Sequence, residues 1–174
     1  MVIGAPGILS RAIEGFGAGR WSHMANVLDG AILDARYNVI EDGKRAIPAG
    51  VQIRPAHYLD SEPRWQVYEF GTEAMYRSWS QAGMAQVGKP YDSQGIWGFA
   101  KGLFTGRYED RNYNPSKPGE SKAWFCDALA VYMASACGYL DLPYGFTPYT
   151  LTPGSALDLF IGRGAKLIAS KGVT

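Results

Sequence analysis

The sequence predicts an α+β domain, and three observations carry that expectation. Short strand-like segments punctuated by glycine and proline fill the stretch from Trp21 to Phe70. The segment Ala123 to Cys137 is apolar on nearly every side, the composition of a helix enclosed by core. Strands come first and buried helices later, as when helices pack on an antiparallel sheet. The chain has 174 residues, which suits a single domain over 1–174 with one substantial core. Apolar residues make up 47% and charged residues 19%, a globular rather than a disordered composition.

In chain order, Leu9 to Phe16 reads as a short helix with Leu9, Ile13 and Phe16 on one face. Trp21 to Leu28 and Ala31 to Arg36 read as two strands joined by Asp29-Gly30, a strong two-residue hairpin signal. Gly50 to Arg54 and Arg64 to Phe70 have the character of further strands. Thr72 to Val87 reads as a helix with Met75, Trp79 and Met84 as packing residues, broken by Gly88-Lys-Pro-Tyr-Asp92. Residues 105–122 are polar and rich in proline, glycine and asparagine, a long loop that is either mobile or a functional lid. The core helix Ala123 to Cys137 follows, with Gly138 as its C-terminal cap. After the aromatic stretch Tyr144 to Pro153, a short helix is expected from Ser155 to Phe160.

The totals exclude several functions. A net charge of +1, with its basic residues spread along the chain, gives no concentrated basic face for nucleic acid. No apolar run approaches the ~20 residues that span a bilayer. The start, Met1-Val-Ile-Gly-Ala-Pro, lacks a basic region followed by a long apolar one, so no secretory signal is visible and a cytoplasmic or virion-associated location is expected. Two cysteines and two histidines without zinc-ligand spacing predict no metal site. The two cysteines lie on one predicted helix, where eleven residues rise ~16 Å. A disulfide needs Cα atoms within ~7 Å, so two free thiols are expected, as in a reducing compartment.

Those thiols are not equivalent. A helix N-terminus favours a thiolate, and Cys126 lies near the start of the core helix. Cys137 lies at the other end, where the dipole disfavours an anion. Cys126 is thus the candidate nucleophile, with a packed core thiol as the alternative reading. If Asp29-Gly30 is a two-residue turn, Leu28 pairs with Ala31 and His23 with Arg36. His23, Ala25, Asp34 and Arg36 then share one face, with His23 and Asp34 as diagonal neighbours. A base with an orienting carboxylate is what a Cys-His-acid site requires. The alternative is a half-buried strand histidine beside a surface Asp34–Arg36 pair. His57 is the rival base, in a predicted loop, and Glu69 is the rival orienter.

Several segments resemble the permuted NlpC/P60 proteins of the YiiX type. Leu9-Ser-Arg-Ala-Ile, Trp21-Ser-His-Met-Ala, Ile32-Leu-Asp-Ala35 and Gly50-Val-Gln-Ile are similar to the front half. Gly88-Lys-Pro-Tyr-Asp92 and Trp124-Phe-Cys-Asp-Ala-Leu129 resemble the back half, and Thr152-Pro-Gly154 the closing segment. The order His, acid, Tyr, Cys reverses that of ordinary papain-like enzymes. The resemblance implies a circularly permuted papain-like fold, an antiparallel sheet packed against the buried helix that carries the cysteine. It implies Cys126 as nucleophile, His23 as base and Asp34 as orienter, where the family often has Glu. Tyr91 matches a site-lining tyrosine. Asp127 stands where the family usually has Ser, and a carboxylate there opposes thiolate formation. Ser22 joins Tyr91 and Asp127 in the set expected to contact oxyanion or substrate.

The activity so implied is that of a cysteine peptidase or amidase. His23 takes the Cys126 proton, the thiolate attacks an amide or ester carbonyl, and the Cys126 amide with Tyr91 holds the oxyanion. No metal or organic cofactor is needed. Peptidoglycan peptides are the leading substrate, in keeping with a phage tail or lysis component and virion or tail assembly partners. Two alternatives stand beside it: an acyl-ester hydrolase or acyltransferase like lecithin:retinol acyltransferase, and a weakly catalytic binding or structural protein. Tyr108, Tyr113, Tyr144, Phe146 and Tyr149 either wall a groove or pin loops to the core.

Overall fold

The computed structural model describes residues 1–4, 21–37, 40–42, 45–94, 101, 105, 112, 114, 116–142 and 151–173. The expected helix Leu9 to Phe16, most of the 105–122 loop and the aromatics Tyr108, Tyr113, Tyr144, Phe146 and Tyr149 lie outside these residues. The strands are β1 (Val2–Gly4), β2 (His23–Met24), β3 (Asn26–Leu28), β4 (Ala31–Arg36), β5 (Ile40–Asp42), β6 (Arg45–Ile47), β7 (Gly50–Pro55), β8 (Arg64–Glu69) and β9 (Lys166–Lys171). The α-helices are α1 (Glu73–Met84), α2 (Cys126–Ala136) and α3 (Pro153–Gly162), with 3-10 turns at Ala56–Ser61 and Pro118–Glu120. The architecture is α+β, built on small antiparallel sheets. They run β2-β1-β8-β9, β3-β4-β7 and β5-β6, so the expected sheet is divided rather than continuous.

The hairpin register follows from its turn. Asp29 and Gly30 both have positive φ, 40° and 80°, as a type I′ turn requires. Leu28 accordingly pairs with Ala31 and Asn26 with Leu33. The predicted strand Trp21 to Leu28, however, breaks at Ala25. Its first part, β2, pairs with β1 instead of β4, with Ile3 opposite His23. The Ala25 amide donates to the Met1 carbonyl at 2.9 Å. A partner some twenty residues upstream, invisible to local pattern, takes this half of the strand.

The helix expected over Ala123 to Cys137 begins three residues later, at Cys126, because Phe125 is extended and Trp124 bridges to Tyr91. Its predicted C-cap holds. Gly138 has φ 77°, its amide donates to Ser135 O at 3.0 Å, and the Tyr139 amide donates to Ala134 O at 2.9 Å, a Schellman motif. Residues 126–131, 133 and 134 of this helix are all buried. It packs against β2, β4, α1 and α3. In α1, Thr72 caps the N-terminus and Trp79 is buried as expected, but Met84 is 46% exposed. Gly83 is buried in its place, because α2 approaches so closely that a methyl there would meet the Met133 sulfur at 2.9 Å. The short helix expected over Ser155 to Phe160 extends to Pro153–Gly162, started by a Thr152–Ser155 capping box. No helix among the described residues is long and apolar enough to cross a membrane.

Gly50 ties the segment leading to Tyr91 to the sheet carrying Asp34. Its φ is 105°, and an added Cβ would lie 2.5 Å from the Lys89 carbonyl oxygen. The Val51 amide donates to that same oxygen at 2.8 Å, and the Gly88 amide returns a bond to Val51 O. Gly50→Ala is therefore expected to cost roughly 2 kcal/mol or more, from backbone strain plus a clash that no side-chain rotation relieves. Urea denaturation checks this, and a loss under about 0.5 kcal/mol would show that β7 can shift away from Lys89.

Candidate active site

Asp34 lies in β4 opposite Gln52 of β7, one residue beyond the Asn26–Leu33 pair of the hairpin, and its side chain is fully buried. Three cationic or polar groups meet it. His23 Nε2 donates to Oδ2 at 2.9 Å, Arg36 Nε donates to the same oxygen at 3.0 Å, and Arg54 Nε donates to Oδ1 at 2.6 Å. Arg36 also reaches Glu62 through Nη2, 3.2 Å from Oε1. These bonds stabilise the anion, so Asp34 is held far below the usual carboxylate range although burial alone would raise it. The predicted His23–Asp34 contact is thus present, despite the break at Ala25.

Sequence reasoning missed Arg54 and Glu62. A signal for Arg54 exists: Gln52 pairs with Asp34, and Arg54 lies two residues on, on the same sheet face. A guanidinium with no exposed surface is nonetheless rare in a strand, and composition gives no warning of it. Glu62 follows the 3-10 turn and is placed by tertiary structure alone.

His23 is pushed down to about 4, first by burial and next by the Arg36 charge, against the opposing pull of Asp34. It is a neutral imidazole at neutral pH. With Nε2 carrying the proton toward Asp34, Nδ1 is the nitrogen left with a lone pair to accept one. His57, the rival base, is exposed in the first 3-10 turn. Glu69, the rival orienter, sits exposed at the end of β8 opposite Lys166.

Cys126 is the first residue of α2 and is 5% exposed. The amides of Met24 and Asp127 hydrogen-bond its sulfur and favour the thiolate. Burial and the Asp127 charge outweigh them, and the thiol is pushed well above its usual range. The expectation that the helix start would favour a thiolate is therefore reversed: removing sulfur from water costs more than the helix amides return. The thiol lies 3.7 Å from Asp127 Oδ1, to which it donates. Asp127 is itself raised to about 7 by burial. Met24 is the link to the base, because it follows His23 in β2 and its amide meets the Cys126 sulfur.

Tyr91 is brought alongside by its bridge to Trp124 and by the Asp92 amide, which donates to Trp124 O at 3.1 Å. Its ring packs 6.0 Å from Phe125. Burial raises its phenol, and the nearby Cys126, Asp127 and Asp92 raise it further, so it remains a protonated donor. Ser22, next to the base, is buried. Cys137 is a half-buried free thiol that donates to Ala134 O at 3.2 Å, as a packed cysteine at a helix end does.

A cavity of about 440 Å³ opens behind β2. Met24, Phe70, Trp79, Ala130, Leu157 and Phe160 are among its walls, while His23 and Cys126 are not. Ala130 stands one helical turn after Cys126, so the cavity is a neighbour of the site rather than the site itself. No family model, no curated protein and no solved structure matches this chain.

Proposed function

We propose that this chain is a cysteine hydrolase with a permuted papain-like fold of the NlpC/P60 type, cleaving amide bonds in cell-wall peptides. The observation that carries the reading is the buried 2.9 Å bond from His23 Nε2 to Asp34, set on the strand whose next amide meets the Cys126 sulfur. Cys126 attacks the carbonyl carbon as its proton passes to His23 Nδ1. Because thiol and imidazole both rest neutral, transfer accompanies attack and does not precede it. The Cys126 backbone amide, at the start of α2, and the Tyr91 hydroxyl receive the oxyanion. The imidazolium then protonates the leaving amine, and water releases the acyl group from sulfur. Asp34 orients the ring throughout.

A second reading, hydrolysis or transfer of an acyl ester, is supported by the cavity lined in part by Met24, Ala130, Leu157 and Phe160, apolar side chains that would suit an acyl chain. One experiment separates the two. Purified peptidoglycan and a medium-chain acyl ester are each incubated with the protein and with Cys126→Ala. Release of new amino groups from peptidoglycan by the wild type alone supports the first reading, and ester turnover by the wild type alone supports the second. Activity that survives in Cys126→Ala, or no turnover of either substrate, overturns the hydrolase.

A further inference from the structure

The Asp34 carboxylate has more partners than an orienting acid needs. A carboxylate that only aims an imidazole keeps its charge available to the imidazolium that forms beside it. Here Arg54 occupies Oδ1 and Arg36 shares Oδ2 with His23. Two guanidinium cations thus face one carboxylate at the base. Arg54 has no exposed surface, sends Nη2 to Gly50 O at 3.4 Å, and has no partner for Nη1 among the described residues. It is fixed in place. Arg36 differs: its side chain is 12% exposed and divided between Asp34 and Glu62.

We infer that Arg36, acting with Arg54, neutralises Asp34 and so keeps His23 an uncharged base, which makes Arg36 a positioning residue that sets how readily Cys126 is activated. The inference rests on reading His23 as the base of Cys126. The charged and titratable groups on the surrounding elements are Asp34 and Arg36 on β4, Arg54 on β7, Glu62 after the first 3-10 turn, and Cys126 and Asp127 on α2. Beside β1, the Met1 amino group donates to Ala25 O at 2.9 Å. Of these, Arg36 is the cation that weighs most on His23, after burial. Removing its charge while leaving a donor for Asp34 lets the carboxylate support an imidazolium. An imidazolium in turn supports a thiolate at Cys126.

The test is an NMR titration of the His23 ring, paired with alkylation of Cys126 by iodoacetamide at pH 7, in wild type, Arg36→Gln and Arg36→Lys. In Arg36→Gln the His23 midpoint is expected to rise by about one pH unit or more, and Cys126 alkylation to accelerate about threefold or more. Arg36→Lys keeps the charge and is expected to stay near the wild type. A midpoint that is unmoved or lower in Arg36→Gln overturns the inference, as does an equal rise in Arg36→Lys, which would mark lost packing rather than lost charge. If Arg36→Gln fails to fold, Glu62→Gln serves in its place. It removes the anion that offsets Arg36, so the midpoint should be no higher than wild type, and a rise overturns the inference. A raised midpoint in Arg36→Gln with no turnover by any form would leave the charge relation standing and remove the hydrolase reading instead.

Discussion

Asp34→Ala is expected to destabilise the protein by roughly 3–5 kcal/mol, because it leaves buried cations without their anion. Arg54 has no exposed surface and loses its 2.6 Å partner, while Arg36 loses one of its two carboxylate contacts and keeps the one to Glu62. His23 Nε2 is orphaned as well. For a chain of this size the loss amounts to a fall of about 10 °C or more in melting temperature, measured by calorimetry or circular dichroism. Adding Arg54→Met to Asp34→Ala should recover part of it, since the cost lies in the uncompensated guanidinium more than in the missing bonds. A loss under about 1 kcal/mol would mean that water or backbone carbonyls already solvate Arg54. Acid acts in the same direction. Asp34, with its depressed pKa, contributes stability that is present above its ordinary 3.8 and is lost as pH falls below it. His23 is kept neutral, so its contribution is present above 6.5 and lost as pH falls from there toward 4. Asp127 has the opposite sign: raised to about 7, it favours folding at low pH and loses that contribution as pH climbs from 3.8 to 7.

What could be read from the residues was what local geometry dictates. Asp29-Gly30 fixes a turn whose twist permits one register, and that register carries Asp34 to the face where His23 reaches it. The buried helix and its Gly138 cap were legible for the same reason, because apolar composition and a left-handed cap act within a few residues. Partners distant in sequence were not. Nothing near His23 announces that β1 will claim it, or that Met133 will press on α1 so closely that Gly83 is buried and Met84 turned outward. The electrostatics of Cys126 failed to follow from its helix position for a related reason. The helix-end effect is local and modest, whereas desolvation depends on everything packed around the sulfur.

The proposed chemistry makes its sharpest demand on His23. His23→Ala is expected to lower kcat/KM by about a thousandfold, since it removes the acceptor of the Cys126 proton and the donor to the leaving group together. A stability loss is not an alternative explanation if the variant retains wild-type circular dichroism and the assay is run well below its melting temperature. The pH profile adds a signature that belongs to this site. A base must be unprotonated to act, and His23 is pushed down to about 4, so activity should rise near pH 4 and not near 6.5. Above about 7 Asp127 becomes an anion whose oxygen lies 3.7 Å from the sulfur, and its charge opposes the negative charge that builds there during attack. Activity should therefore decline on the alkaline side, opposite to the rise that a simple thiol ionisation would give. A profile that climbs through pH 8 and 9 would assign the chemistry to a freely ionising thiol. A rise centred near 6.5 would mean that the buried His23 is not the base.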